Sequence, residues 1–315
     1  MSVKGAGGFS VGIGQRDKIV SLVNFGGLEP NTRYPIASAS KFLTAATVMV
    51  LVDEGTLSLD RPVSHWLPSF PVVADELTLR HLLSQTSGLA GPQGEFYEFA
   101  QDHRMTLAQS ALEVMQRPLI SRPGNVFAYG GPGFQVVGAV VEAATGKRWS
   151  DIFQEKLAGP LGMTRTRWTH PYMDRANDAP IEEILNPVLQ GGAVSTAEDY
   201  LNFLSMIAKN GMFAGKRVLS RDSVDEMLAD QTSGAEMTST GSNILVDAHY
   251  ALGNWCESWD EEGNGVRNSS LGFFGMYPWV ERSTGRFGII FPFIREDAFR
   301  FWPDIAAIRD AVSGS

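Results

Sequence analysis

Ser38-Ala39-Ser40-Lys41-Phe42-Leu43-Thr44-Ala45-Ala46-Thr47-Val48-Met49-Val50-Leu51-Val52-Asp53-Glu54-Gly55 is the stretch on which the reading of this chain turns. Its interior is apolar nearly all round, which predicts a helix over 38–54 buried at the centre of the molecule rather than one with a wet face. Gly55 is a natural residue to stop it. Ser38 and Lys41 form the chain's single Ser-x-x-Lys pair. Positions three apart share a helix face, so the hydroxyl and the amine are neighbours. A lysine at the mouth of a dry helix is partly desolvated, which favours its neutral form. A neutral amine accepts a proton from a serine hydroxyl, and the unpaired N–H groups of a first helical turn suit a developing oxyanion. The competing reading makes Ser38 or Ser40 a cap and Lys41 a solvated first-turn residue.

Outward from this helix the two ends of the chain look alike. Residues 9–13 and 18–23 flank Gly14-Gln15-Arg16-Asp17 and read as a β-hairpin. Residues 275–282 and 286–293 flank Ser283-Thr284-Gly285 and read as a second. A helix over 303–312 follows, with Pro303 near its first position. Between the ends the pattern is helical, with pieces at 79–83, 106–116 and 134–145, the last stopping at Gly146. Ser195-Thr196-Ala197-Glu198 fits a capping box with Ser195 as cap, opening a helix whose Leu201, Leu204 and Ile207 share one face. The Ser/Thr/Gly-rich run 233–243 reads as a loop. The expected architecture is therefore α+β in two parts. An antiparallel sheet flanked by helices is built from both chain ends (1–60 and 245–315), and a mostly helical domain (61–244) is inserted between them, with the site where the two meet.

Composition narrows the function. With 315 residues, 43% hydrophobic and 19% charged, this is an ordinary globular chain. Lys+Arg 26 against Asp+Glu 35 gives a net charge of -9, and the scattered basic residues leave no face for nucleic acid. No polybasic amphipathic stretch or long apolar run points to a membrane. The lone Cys256 forbids an intrachain disulfide and argues for a small buried apolar residue. His65, His81, His103, His170 and His249 lack metal-ligand spacing, so no metal is expected. The N-terminal Met1-Ser2-Val3-Lys4-Gly5-Ala6-Gly7-Gly8 is not an intact secretory signal. This favours the cytoplasm unless a longer precursor has been trimmed. Oligomeric state does not follow from the sequence.

A second chemical candidate is Tyr129, on the glycine-rich Pro123-Gly124-Asn125-Val126-Phe127-Ala128-Tyr129-Gly130-Gly131-Pro132-Gly133. A tyrosine beside a lysine can serve as general base and acid; the alternative is a packed aromatic with its hydroxyl at the surface. No Gly-x-Ser-x-Gly elbow is present, and Gly5–Gly14 surround a hairpin rather than a phosphate loop.

Four segments together resemble the serine β-lactamases and penicillin-binding-protein-like hydrolases, nearest to class C β-lactamases and family VIII carboxylesterases. They are residues 34–41, ending in Ser38-Ala39-Ser40-Lys41; 77–89, ending Ser84-Gln85-Thr86-Ser87-Gly88-Leu89; 123–146; and Gly191-Gly192-Ala193-Val194-Ser195-Thr196-Ala197-Glu198-Asp199-Tyr200. The resemblance covers nearly the whole chain. It implies a β-lactamase/transpeptidase-like fold and acyl transfer through an acyl-serine, without metal or organic cofactor. Ser38 would be the nucleophile, Lys41 its proton acceptor and Tyr129 the second base/acid.

Two departures set the expected substrate. The usual Tyr-x-Asn is Tyr129-Gly130-Gly131 here, without its amide side chain. The usual Lys-Thr-Gly or His-x-Gly of the third motif, on the sheet's edge strand, is best matched by Ser270-Leu271-Gly272, without a positive group. On this alignment the N–H of Phe273 joins that of Ser38 as oxyanion donor. Gly130, Gly131, Ser270, Leu271, Gly272 and Phe274 would line the substrate. Loss of a carboxylate partner and an amide partner disfavours β-lactams and D-Ala peptides. The expectation is a carboxylesterase for short to medium neutral esters. The rivals are a lactamase or amide hydrolase of the same superfamily, and a non-catalytic binding protein on this scaffold.

Overall fold

The computed structural model describes residues 7–29, 31–89, 105–169, 184–239, 245, 248–261, 265–294 and 298–313. His103, His170, residues 1–6 and residues 240–243 of the expected loop lie outside them.

The sheet draws on both ends of the chain. β1 (Phe9–Gln15) and β2 (Lys18–Phe25) form the first hairpin. β10 (His249–Tyr250), β11 (Trp255–Trp259), β12 (Gly265–Ser269), β13 (Tyr277–Glu281) and β14 (Arg286–Pro292) form the rest. The seven strands run in the order β10-β11-β12-β13-β14-β1-β2, antiparallel throughout. The second hairpin closes between Glu281 and Arg286, around the turn expected from the sequence. The long strands alternate as a two-faced sheet must. Phe287, Ile289 and Phe291 enter one core and Ile290 the other; Val280 faces the first, Tyr277 and Trp279 the second. Among the described residues, seven short strands lie between the halves of the sheet. β3 (Tyr34–Pro35), β5 (Arg167–Trp168) and β6 (Ala193–Ser195) make a small sheet in the order β3-β6-β5. β4 (Val126–Ala128) pairs in parallel with β9 (Glu236–Ser239), so part of the run expected to be a loop is a strand. β7 (Met212–Phe213) and β8 (Lys216–Arg217) form a small hairpin.

The expected central helix divides. Residues Ala37–Ala39 form a 3-10 turn, and α1 spans Ser40–Asp53. Every α1 residue from Ser40 to Leu51 is buried, as its all-round apolar sequence requires. α2 (Leu79–Leu83), α3 (Leu107–Met115) and α4 (Pro132–Thr145) follow, with Gly146 capping α4 in the left-handed conformation. Next come α5 (Trp149–Phe153), α6 (Ala197–Ala208) and α7 (Arg221–Leu228). α6 starts one residue later than its capping box predicts. Thr196, not Ser195, accepts from the Asp199 N–H, because the Ser195 hydroxyl is bound to Thr166 Oγ1 at 2.7 Å. α6 lies against β1, β13 and β14, within the core that also holds α1; α8 (Trp302–Ser313) covers the opposite face. Among the described residues no helix is long and apolar enough to cross a membrane.

Candidate active site

The segment before α1 is held by backbone pairing on one side and by side chains on the other. β3 pairs with β6, and the Ile36 N–H continues the ladder to the Ala193 carbonyl at 3.0 Å. The Ala193 N–H donates to Ser40 Oγ at 3.2 Å, and the Tyr200 hydroxyl to the Ala39 carbonyl at 2.8 Å. Ala37 sits at φ 46°, a left-handed conformation that costs a non-glycine residue about 1 kcal/mol or more. Ser38 follows it, half-buried, at the mouth of the buried helix.

Lys41 points back to Ser38. Its Nζ donates to Ser38 Oγ at 3.0 Å and to the Gln190 carbonyl at 3.0 Å. The side chain is 3% exposed, and burial lowers its pKa from 10.5 to about 7. The competing reading of a solvated lysine is thereby overturned: an α1 apolar all round leaves this end no water to reach. Tyr129 stands over the same nitrogen, with Lys41 Nζ 4.8 Å from its ring centroid and 5.7 Å from that of Phe134. The tyrosine ring stacks on Trp255 at 5.2 Å and meets Tyr250 edge-on at 5.8 Å. The structure therefore brings residues 38, 41 and 129 together, as the sequence reading requires.

The third segment lies alongside. Ser270 Oγ donates to the Ser38 carbonyl at 3.3 Å. A Cβ on Gly272 would stand 2.4 Å from the Ile36 carbonyl oxygen, so this approach is open to glycine alone. Ser270-Leu271-Gly272 follows β12, which lies between β11 and β13 rather than at the sheet's edge. Leu271 and Phe274 are turned into the two cores, while Phe273 is 50% exposed beside Phe274.

Two polar side chains at this site have placements the sequence reading does not assign, although Gln85 stands where the resembled family usually has a histidine. Gln85 lies in the left-handed region at φ 64°, buried, with its Oε1 accepting from the Gly130 N–H at 3.0 Å. Gln190 turns its carboxamide toward Gly131, where any side chain at 131 would collide with it. Its main-chain carbonyl, not its amide, is what contacts Lys41. The only sequence signal is position, one polar residue between Val188-Leu189 and Gly191-Gly192. Among the described residues, no group of three His, Cys, Asp or Glu side chains is placed to hold a metal.

The family model described as Beta-lactamase matches residues 2–293. Protein Rv1367c of Mycobacterium tuberculosis (strain ATCC 25618 / H37Rv) is 30% identical over 69% of this chain and 66% of its own length. Esterase EstB of Burkholderia gladioli is 35% identical over 43% of this chain and 38% of its own. The chain thus spans two thirds or less of these curated relatives. A solved beta-lactamase-like structure from Bacteroides dorei DSM 17855 superimposes with a TM-score of 0.84 at 29% identity, covering 99% of this chain and 95% of that one. With the match running from the first strand of the sheet to the end of its last, the chain belongs to the beta-lactamase family.

Proposed function

We propose that the protein is a serine carboxylesterase that cleaves short to medium neutral esters through an acyl-serine. The family and the likeness to the Burkholderia esterase support hydrolase chemistry. The observation that carries the reading is Ser38 Oγ lying 3.0 Å from an amine that burial brings to a pKa of about 7. Near neutral pH such a lysine is substantially unprotonated, and the base is already within proton-transfer distance.

In this reading neutral Lys41 takes the Ser38 proton as Oγ attacks the ester carbonyl carbon. The carbonyl oxygen gains the negative charge. The Ser38 N–H, without a partner inside its own turn, and the Phe273 N–H stabilise it. The C–O bond to the alcohol then breaks, and the proton leaves with the alcohol by way of Lys41 and Tyr129. Water attacks the acyl-serine along the same route in reverse, giving the acid and restoring the Ser38 hydroxyl. In this reading the backbone of Gly130, Gly131, Ser270 and Gly272 lies along the bound ester. The exposed Phe273 ring and the lack of a cation in Ser270-Leu271-Gly272 favour a neutral acyl or alcohol group.

The test is hydrolysis of p-nitrophenyl acetate and butyrate by the wild type and by Ser38→Ala. Turnover abolished in the variant is the expected result. Undiminished turnover contradicts the nucleophile, and fast nitrocefin or D-Ala-D-Ala peptide cleavage with negligible ester cleavage contradicts the substrate class.

A further inference from the structure

The third segment runs antiparallel beside the nucleophile segment, and a side chain links the two. Gly272 lies against Ile36, where a Cβ would stand 2.4 Å from the Ile36 carbonyl oxygen. Ser270 lies against Ser38, and its hydroxyl donates to the Ser38 carbonyl at 3.3 Å. The backbone donors of the third segment are turned the other way. The Ser270 N–H donates to the Pro278 carbonyl at 3.3 Å, and the Gly272 N–H to the Met276 carbonyl at 2.8 Å. Neither is left to reach residues 36–38, so a hydroxyl at 270 makes the link instead. Ser270 is 3% exposed, which leaves its side chain little surface to offer a ligand.

The turn that it grips needs holding. Ala37 is strained at φ 46°, and a residue in that region stays there only where its surroundings over-determine it. On one side of Ser38 the Ile36 N–H is fixed to the Ala193 carbonyl, and on the other the Ala39 carbonyl is fixed to the Tyr200 hydroxyl. Ser270 holds the residue between these two anchors.

We propose that Ser270 is a positioning residue that sets the spacing of the oxyanion hole. By holding the Ser38 carbonyl, its hydroxyl keeps the Ser38 N–H in register with the N–H of Phe273, farther along the same segment. Without that hold the turn at Ala37 relaxes and the two donors drift apart. Where the usual third motif carries Lys or His, this chain has a group that serves the nucleophile rather than the substrate. This rests on the esterase reading and deepens it. Donors aimed at the developing oxyanion act in the transition state, so a small displacement between them is paid in rate.

The test compares p-nitrophenyl butyrate with O-(p-nitrophenyl) thionobutyrate, in which sulfur replaces the carbonyl oxygen. Sulfur is a weak hydrogen-bond acceptor, so an oxyanion hole accelerates the first ester far more than the second. The ratio of their kcat/KM values, compared across proteins, therefore reads the hole itself and cancels any general loss of active enzyme. Wild type, Ser270→Ala and Ser270→Cys are assayed. Alanine removes the donor, and cysteine keeps the shape with only a weak one. The ratio is expected to fall about tenfold in Ser270→Ala, carried by the oxygen ester, and to fall in Ser270→Cys as well. A ratio that does not fall in Ser270→Ala, or in Ser270→Cys should the first fail to fold, overturns the positioning role whatever happens to the two rates, and leaves the esterase intact. No cleavage of p-nitrophenyl butyrate by the wild type overturns the esterase reading and this inference with it.

Discussion

Gln85 holds Tyr129 from both sides. The Ala128 N–H donates to its main-chain carbonyl at 3.0 Å and the Gly130 N–H to its side-chain Oε1 at 3.0 Å. A strained left-handed residue is thus kept where it aims a carboxamide at the loop that carries the tyrosine. Gln85→Leu leaves the buried Gly130 N–H without an acceptor. The variant is expected to lose about 1–3 kcal/mol of stability. It is also expected to lose about tenfold in kcat as the tyrosine drifts from register, because small misplacements at a reacting centre are costly. Denaturant unfolding together with ester kinetics checks both. Wild-type kcat would show that the bracket does not matter to Tyr129.

Ester hydrolysis is expected to follow the protonation of Lys41. The free-enzyme profile of kcat/KM should rise with pH, inflect near 7 and level off above it, because only the neutral amine accepts the serine proton. A profile flat from pH 5 to 9 would remove Lys41 from the role of base.

The same burial links stability to pH. The folded chain gives up the Lys41 proton near pH 7, the unfolded chain near 10.5. Between these values the unfolded state holds more protons, so this residue makes stability rise with pH across that window. Lys41→Met removes the contribution, and its stability curve between pH 7 and 10 is expected to be flatter than that of the wild type. Thermal unfolding at several pH values measures the difference.

Gly272→Ala is expected to disrupt the site from the other side. The added methyl collides with the Ile36 carbonyl, and either the 270–272 segment or the nucleophile segment must move. A loss of about 1–3 kcal/mol in stability is expected, with kcat/KM falling at least about tenfold. Unchanged kinetics would show that the two segments can separate without harm.

Much of this arrangement was legible along the chain because it is local. The burial of 40–51 follows from an all-round apolar helix, and Ser38 meets Lys41 because helical spacing puts them on one face. The hairpins at the two ends announce themselves by their turns. What escaped was non-local. The pairing of β4 with β9 depends on two short runs brought side by side by the fold, and nothing in the polar 233–243 marks it. Gln190 and Gly131 meet only in space, being 59 positions apart in the chain, and nothing local to either marks the contact. The displaced cap of α6 has a similar cause: Ser195 is drawn away by Thr166, a residue of another segment.

Away from the site, Glu257 is buried on the sheet face beneath α8. It accepts from the Ser269 hydroxyl and from the Tyr277 hydroxyl, with Arg309 3.6 Å away. Burial pushes its carboxyl above the usual range, and the two hydroxyls and the guanidinium groups of Arg309 and Arg267 pull it back. Arg309→Met removes the cation within 3.6 Å of the carboxylate while Arg267 remains, and is expected to destabilise by about 1–3 kcal/mol at pH 7. The deficit should shrink as the pH falls, because a protonated Glu257 needs no counter-charge. A deficit that does not change with pH would assign the loss to packing alone.

The measurement that bears most directly on the Ser38–Lys41 pair is peptide mapping by mass spectrometry after exposure to a fluorophosphonate at pH 8, for wild type and Lys41→Met. One phosphonyl adduct on Ser38 in the wild type, at least tenfold slower to form in the variant, is the predicted result. No adduct on Ser38, or labelling at the same rate without the lysine, would contradict it.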